Sequence, residues 1–312
     1  MQRTARLKLI PLLALLVPLF GSGSALAAET FEENLTVRGA ITLDVGTGSG
    51  SIDVTSGPGR DVTIIGTVKI QKYGMIVRRS PDNADEIIQA ILDNPPVELE
   101  GDVLTVGKIK DRAIRQAVSI SYEIVVPADT RVLADSGSGT VTVLDIAAPT
   151  RAGTGSGSIK LENIGSDVTA KTGSGTITAD SIAGAFEGRT GSGSIRFSQT
   201  APGDVIVSTG SGSIKLQGVV GALRASAGSG KIVVDGQQEG DWKLNSGSGS
   251  ITVKLPDDAS FDLNAESNSG GVRVAEHFSV EGKITKKHIK AAVNGGGPEL
   301  RIDTGSGSIR VL

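Results

Sequence analysis

Apolar and polar residues alternate along most of this chain in short runs that are separated by Gly and Ser. The string Gly-Ser-Gly-Ser-Ile, or a close variant, occurs ten times, starting at Gly48, Gly137, Gly155, Gly173, Gly191, Gly210, Gly228, Gly247, Asn268 and Gly305. From Gly137 to Gly247 the copies follow one another every 18 or 19 residues. A fixed period of this size is typical of a solenoid in which each repeat forms one rung. The step of 37 residues from Asn268 to Gly305 predicts two rungs, one of which lacks the signature.

Each period contains two pairs of apolar residues spaced by two. In the period that starts at Gly191, Ile195 and Phe197 follow the signature, and Val205 and Val207 precede the next one. Spacing by two indicates strands whose paired side chains point to the same side. Stacking equivalent strands ~4.8 Å apart would align these pairs as inward ladders. The pattern therefore predicts an all-β fold, a single-chain parallel β-solenoid (β-helix) with two-strand rungs of 18–19 residues.

The Gly-Ser-Gly string is interpreted as the turn between the two strands. Gly would supply positive φ, and the small Ser between the glycines would hydrogen-bond to backbone groups of its own or the adjacent rung. The first copy, in residues 46–51, also resembles a phosphate-binding loop. That chemistry needs a helix N-terminus after the glycines, whereas a strand follows here.

A segment near the N-terminal end breaks the period. It predicts a strand over Asp61–Ile70, a short helix over Pro81–Asn94, a hairpin over Val97–Val106 and a strand over Ser119–Val126. We interpret it as a small α/β capping insertion, which gives first rungs over 29–70, a cap with one short helix over 71–126 and solenoid repeats over 127–312. Residues 277–292 predict a loop or a second cap.

Residues 1–28 have the features of a signal peptide. Arg3, Arg6 and Lys8 precede an apolar run over Leu9–Phe20, and an Ala-x-Ala cleavage site follows at residues 25–27. The run is shorter than the ~20 apolar residues of a transmembrane anchor. The sequence thus predicts export, to the periplasm or the cell surface, without a transmembrane anchor.

Composition and charge narrow the function. Removing residues 1–28 lowers Lys+Arg from 31 to 28 against 34 Asp+Glu, so the net charge becomes −6, which argues against a nucleic-acid partner. The chain has no Cys, which excludes disulfides, thiolate metal sites and Cys nucleophiles. Its high Gly content, 43 residues, is consistent with a repeat.

A family resemblance is carried by three features together. These are Gly-Asp-Val-Leu-Thr-Val at residues 101–106, Tyr-Glu-Ile-Val-Val-Pro-Ala at residues 122–128, and the serial Ser-Gly-Ser/Thr-Ile/Val rungs that follow. Over residues 31–312 the chain resembles the exported bacterial family of adhesin-like β-strand-repeat proteins, the DUF4097 domain, whose function is unknown. The resemblance implies a β-solenoid and an envelope location.

Few residues are candidates for chemistry. His277 and His288 have no acid or nucleophile in register with them, and Asp145, Asp180 and Asp235 follow strands without a paired carboxylate. The sequence predicts no catalytic, cofactor-binding or metal-binding residue and no cofactor.

One outward row stands out. Between the inward residues of the strand after each signature lie Lys160, Thr178, Arg196, Lys215, Val233, Thr252, Arg273 and Arg310. The five cations, Lys160, Arg196, Lys215, Arg273 and Arg310, form a predicted binding face. Arg224, Lys243 and Arg301 hold equivalent places on the opposite strand. A ladder of cations suits a regular anionic polymer or lipid headgroups.

The leading functional hypothesis is a non-catalytic exported envelope protein, a rigid scaffold whose surface serves adhesion or partner binding. Its partner would be an anionic envelope glycan or lipid, or another envelope protein. Two alternatives are a carbohydrate-active β-helix enzyme and an envelope sensor that acts through the cap segment, residues 72–118.

Overall fold

A computed structural model describes residues 28–71 and 84–312, so all of the predicted signal peptide except its last residue lies outside the described part. The N-terminal elements are β1 (Glu29–Thr36), β2 (Thr42–Thr47), β3 (Ile52–Gly57), β4 (Asp61–Ile70), α1 (Ala84–Asp93), β5 (Val97–Glu100), β6 (Val103–Val106), α2 (Arg112–Ala117) and β7 (Val118–Pro127). The repeats contain β8 (Arg131–Ser136), β9 (Val141–Leu144), β10 (Thr150–Thr154), β11 (Ile159–Ile164), β12 (Val168–Thr172), β13 (Ile177–Ile182), β14 (Phe186–Thr190), β15 (Ile195–Gln199), β16 (Val205–Thr209), β17 (Ile214–Val220), β18 (Leu223–Ala227), β19 (Ile232–Gln237), β20 (Trp242–Ser246) and β21 (Ile251–Lys254). The remaining strands are β22 (Phe261–Ser267), β23 (Val272–Val274), β24 (Val280–Ile284), β25 (His288–Val293), β26 (Glu299–Thr304) and β27 (Ile309–Val311).

These strands form two long sheets that run through the repeats in parallel register. Sheet A has the order β1-β4-β7-β3-β9-β11-β13-β15-β17-β19-β21-β27-β23, and sheet B has the order β24-β25-β22-β26-β20-β18-β16-β14-β12-β10-β8-β2-β6-β5. The predicted parallel β-solenoid is therefore confirmed. Each rung contributes one strand to each sheet. The Gly-Ser-Gly signature forms the tight turn between the two strands, so it recurs once per rung.

The inward pairs occupy the core as the alternation predicted. Ile195 lies in register between Ile177 and Ile214, and all three are fully buried. On sheet B, Val205 lies between Phe186 and Leu223, which are also buried. Residues from both sheets join one continuous hydrophobic cluster, so the stack supplies the core that no single rung could form.

Helices are few. α1 falls within the predicted helix over 81–94, of which residues 81–83 lie outside the described part, and it buries Ile88 and Ile91. The six-residue helix α2 was not predicted. Within the described residues no helix has the length and apolar character needed to cross a membrane.

The stack does not follow sequence order at its ends. β26 pairs with β20 on one side and β22 on the other, and β27 likewise lies between β21 and β23. The prediction of two successive rungs between Asn268 and Gly305 is therefore wrong. The β26–β27 rung comes later in the sequence, but it lies between the β20–β21 rung and the β22–β23 rung. At the opposite end, β2 and β3 lie between the β8–β9 rung and a further rung made by β6 and β7. Both ends thus have a tucked-in rung, held between its neighbours in space rather than in sequence.

The corner glycines are required by close stacking and not by positive φ, which corrects the prediction. Of the signature glycines, all of which lie in the described part, none has a φ in the left-handed region. A Cβ added to Gly175 would instead stand 1.7 Å from the carbonyl oxygen of Gly157 on the preceding rung. The rungs approach so closely at the second glycine of the signature that only glycine fits there.

A ladder of buried hydroxyls runs beside these glycines. Thr172 Oγ1 donates to the carbonyl oxygen of Gly157 on the preceding rung (2.8 Å) and accepts from the backbone N–H of Gly175 (3.1 Å). The same two bonds recur at Ser136, Thr154, Thr190, Thr209, Ser246, Ser267 and Thr304. The hydroxyl therefore belongs to the residue before the first glycine, and not to the Ser between the glycines as predicted. Ala227 interrupts the ladder.

A second corner follows the sheet A strand in several rungs. Asp145, Asn163 and Ser181 adopt positive φ of 61°, 57° and 58°. Each is followed by a buried isoleucine, Ile146, Ile164 and Ile182, so the kink returns the next side chain to the core. Asn163 Nδ2 donates to Asp145 Oδ1 at 2.7 Å and thereby joins two stacked corners.

Candidate binding surface

The five cations of the predicted binding face lie in one row of sheet A, and uncharged residues interrupt that row. In stacking order its members are Lys160, Thr178, Arg196, Lys215, Val233, Thr252, Arg310 and Arg273. The parallel register makes Arg196 and Lys215 neighbours, and the tucked-in rung makes Arg310 the neighbour of Arg273. Uncharged residues separate these two pairs from each other and from Lys160.

The charges of this row are unequally compensated. Lys160 forms a salt bridge with Glu162 on its own strand (2.9 Å). Within residues 28–71 and 84–312, no salt bridge involves Arg196, Lys215, Arg273 or Arg310, and all four are exposed. The row thus offers two separate pairs of available cations.

A continuous cation row lies on sheet B. Arg224 is in register with Lys243, and Lys243 is in register with Arg301, so three exposed cations stand on successive strands. We call these three residues the sheet B cation row. Beyond Arg301 the same outward position is held by Asn264, Lys290 and Lys283 on β22, β25 and β24. In sequence order, β22 lies between the strands of Lys243 and Arg301. The two residues are adjacent because β26 is tucked in between β20 and β22.

The surroundings of the row are mixed in charge. Arg301 donates to Asp303 Oδ2 at 3.1 Å, and this hydrogen bond raises the pKa of the Arg301 guanidinium. In the other direction, Ile206 stands beside Arg224 and is 44% exposed. Beyond Ile206, a carboxylate is held between two cations in the cluster Lys171–Glu187–Arg189, with distances of 3.1 and 2.9 Å. The hydrogen bond from Lys171 lowers the pKa of the Glu187 carboxyl.

The residues considered for chemistry have structural partners. Asp145 lies in a corner, as described above, and Asp180 hydrogen-bonds to Ser198 of the next rung. Asp235 lies in register with Lys254. His277 is 3.7 Å from Asp257 at the surface. In the part of the chain that the structure describes, no group of three His, Asp or Glu residues is placed to hold a metal ion.

A concavity of about 690 Å³ lies where the tight corner gives way to the loop between β6 and β7. Its walls include Gly46, Ile109 and Ile120, with Lys110 in the loop after β6 and Arg115 on α2. Tyr122 also lines it, fully buried, and among the described residues its hydroxyl has no hydrogen-bond partner. Burial raises the pKa of this phenol well above its ordinary value.

The fold and these rows define the molecule as a parallel β-solenoid whose outer faces carry stacked cations. Residues 111–312 match the family model described as Toastrack DUF4097. The match covers more than half of the chain, so this protein belongs to the DUF4097 family, as the sequence resemblance predicted.

Solved structures that are similar to this chain have low sequence identity to it. A putative adhesin from Parabacteroides distasonis is 12% identical, with 91% of this chain and 97% of that chain covered and a TM-score of 0.40. A putative adhesin from Bacteroides fragilis is 14% identical, with 91% and 97% covered and a TM-score of 0.34. A putative lipid binding protein from Parabacteroides distasonis is 12% identical, with 90% and 97% covered and a TM-score of 0.29. Identities and TM-scores this low carry no argument about what the chain binds. No curated relative matches the chain.

Proposed function

We propose that this chain is a non-catalytic exported envelope protein: a rigid scaffold that binds anionic glycan chains through its outer cation rows. The observation that carries the proposal is the register of Arg224, Lys243 and Arg301 on three successive strands. Export would follow from the signal peptide predicted for residues 1–28, and residues 71–126 would cap one end of the scaffold.

The spacing of the row suits a linear polyanion. Adjacent strands lie ~4.8 Å apart, which is close to the length of one sugar residue in an extended polysaccharide. A chain laid along the solenoid axis would therefore meet a cation at each successive strand. Exposed charge pairs contribute only about 0.2–1 kcal/mol each, so useful affinity requires several contacts in line. A rigid stack supplies them without the entropy cost of ordering a flexible segment.

Two features support a binding role over catalysis. The aspartates that stood out in the sequence are engaged in corners or lie beside a cation, so none has the shielded partner carboxylate of a glycosidase pair. The cation row lies on an outer sheet face, where water screens charges, and not in a cleft that could exclude water from a reacting bond. A flat charged face is suited to holding a polymer.

The test compares two triple variants that differ only in the face they change. Arg224, Lys243 and Arg301 are replaced by Ser in one, and Lys160, Arg196 and Lys215 are replaced by Ser in the other. Binding to polygalacturonate is measured by titration calorimetry at low and high salt. Loss of three exposed contacts in the first variant should weaken binding about tenfold, equivalent to ~1.4 kcal/mol. Wild-type binding should also weaken as salt rises, because the Debye length is ~8 Å at physiological ionic strength.

The second variant serves as the matched control. It should bind more tightly than the first, because Lys160 is already paired and Thr178 interrupts the row. Equal binding by wild type and the first variant would contradict the proposal. Stronger binding to phosphatidylglycerol vesicles than to the polysaccharide would move the ligand class to lipid headgroups. Release of reducing ends from the polysaccharide would favour the carbohydrate-active alternative.

A further inference from the structure

Within residues 28–71 and 84–312, sheet B ends in two strands that each pair on one side only. At the N-terminal end of the rod the last strand is β5, which pairs with β6, and at the other end it is β24, which pairs with β25. The free edge of such a strand presents unpaired backbone N–H and C=O groups to any strand that approaches it. The two edges lie at opposite ends of the same sheet.

The two edges carry opposite charge. Residues 98–103 are exposed without interruption and contain Glu98, Glu100 and Asp102 with no cation. Residues 281–287 are also exposed throughout and contain Lys283, Lys286 and Lys287 with a single acid, Glu281. Within the described residues no salt bridge involves any of these side chains. Like charges would oppose the pairing of two β5 edges, whereas a β5 edge and a β24 edge attract each other.

The apolar ladder of the core is left open at both edges. Leu99 lies opposite Leu104, which is buried beside Leu43, so Leu99 occupies an inward position, yet it is 43% exposed. Ile284 lies opposite Ile289, which is buried, and it is 57% exposed. Both side chains continue the inward rows of sheet B one strand beyond the point where the core is covered. They are two of only five large hydrophobic residues that are exposed in the described part of the chain.

We propose that this protein assembles head to tail, with β5 of one copy pairing with β24 of the next so that sheet B continues from molecule to molecule. β5 is antiparallel to β6, which runs with the repeats, whereas two antiparallel steps return β24 to the direction of the repeats. Copies related by translation along the rod therefore bring the two strands together antiparallel. Because the two surfaces differ, the contact is heterologous and produces an open filament.

Side-chain direction selects a register for this pairing. Placing Leu99 opposite Ile284 joins the two inward apolar positions and puts Glu100 opposite Lys283 on the outer face. Glu100 lies opposite the exposed Val103, and Lys283 lies opposite Lys290 in the outward row. Charge, burial and strand direction thus agree on one pairing. This assembly goes beyond the proposed binding function, and none of the residues involved belongs to the cation rows varied above.

Because the chain has no Cys, engineered cysteines provide a direct test. Residues opposite each other in an antiparallel pair have Cα atoms about 4.5–5.5 Å apart, which is within the range of a disulfide. The double variant Leu99→Cys, Ile284→Cys should form a ladder of covalent oligomers under mild oxidation, seen on a non-reducing gel. Each single variant should stop at dimers. The control double variant Leu99→Cys, Ile206→Cys places its second cysteine on an exposed face away from the ends, and it should give no ladder.

Charge exchange tests the same contact without cross-linking. The variant Glu98→Lys, Glu100→Lys has two basic ends, and the variant Lys283→Glu, Lys286→Glu has two acidic ends. Each should sediment as a monomer under conditions where wild type associates, and an equimolar mixture of the two should associate again. The proposal is overturned if wild type remains monomeric at all accessible concentrations. It is also overturned if the control cysteine pair forms the same ladder, or if both charge variants associate as wild type does.

Discussion

The corner glycines lead to a sharp prediction about stability. Gly175→Ala would place a Cβ 1.7 Å from the Gly157 carbonyl oxygen, whereas real Cβ atoms essentially never approach another atom within 3.0 Å. The two rungs must therefore separate locally by about 1.3 Å, which is the shortfall between those values. A displacement of that size lengthens the 2.8 Å bond from Thr172 Oγ1 to Gly157 beyond hydrogen-bonding distance.

The expected loss follows from the contacts that break. The Thr172 bond and the adjacent backbone bond from Gly173 N–H to the Gly155 oxygen (3.0 Å) lie at the same corner. Each lost bond costs about 1 kcal/mol, and the overpacked corner adds strain of about 1–3 kcal/mol, so unfolding free energy should fall by roughly 3 kcal/mol or more.

Gly48 provides the control. It is the first glycine of the first signature, whereas Gly175 is the second glycine of its own, and a Cβ at Gly48 would have nothing within 4 Å. Gly48→Ala should therefore change the unfolding free energy by no more than about 0.5 kcal/mol. Urea denaturation followed by far-ultraviolet circular dichroism measures both variants. Equal midpoints for the two would refute the claim that close stacking selects glycine at the corners.

Two further predictions concern buried polar groups. Ala227→Ser should complete the hydroxyl ladder between Thr209 and Ser246 and stabilise the protein by about 1 kcal/mol. The control variant Ala225→Ser, two residues earlier and facing the apolar core, should destabilise the protein. Chemical denaturation measures both, and the opposite ranking of the two variants would contradict the role of the ladder. Tyr122→Phe removes a buried hydroxyl without a partner in the described residues, so the melting temperature at pH 7 should hold or rise. Because burial raises the Tyr122 pKa, the stability it contributes is fully present below the unfolded pKa of about 10 and is lost as pH rises above it. Wild type should therefore lose stability more steeply than Tyr122→Phe above pH ~10, and parallel alkaline melting profiles would contradict this.

The sequence was sufficient for the rungs because their signal is local. Period-two alternation decides which face of a strand is buried, and a shift of one residue would expose every apolar side chain. The inward positions of Ile195 and Val205 followed from that constraint. The corner was placed correctly but explained wrongly, since positive φ and close stacking both call for glycine. Only the distance between Gly157 and Gly175 distinguishes them.

The candidate binding surface was harder to predict from sequence, because the rungs that are adjacent in the stack are not always consecutive in the sequence. Counting periods placed Arg273 before Arg310 and separated Lys243 from Arg301, while the structure reverses the first order and closes the second gap. The signal that could have been used was the 37-residue step after Asn268, which allows a detour as well as an extra rung. The segment over residues 280–293 forms that detour, as strands β24 and β25.

The tucked-in rungs constrain the order in which the molecule can be built. A solenoid whose rungs stack in sequence order can grow one rung at a time as the chain emerges. Here the β22–β23 rung is synthesised before the β26–β27 rung on which it rests. The β22–β23 rung cannot pair correctly until β26 and β27 have been synthesised. If it paired with β20 and β21 before then, it would occupy the position that β26 and β27 take in the native stack. This end of the rod can therefore form only after β26 and β27 have been synthesised, in one cooperative step. A chain that stopped before residue 299 would leave the edge of β20 without β26 and open to pairing with other molecules.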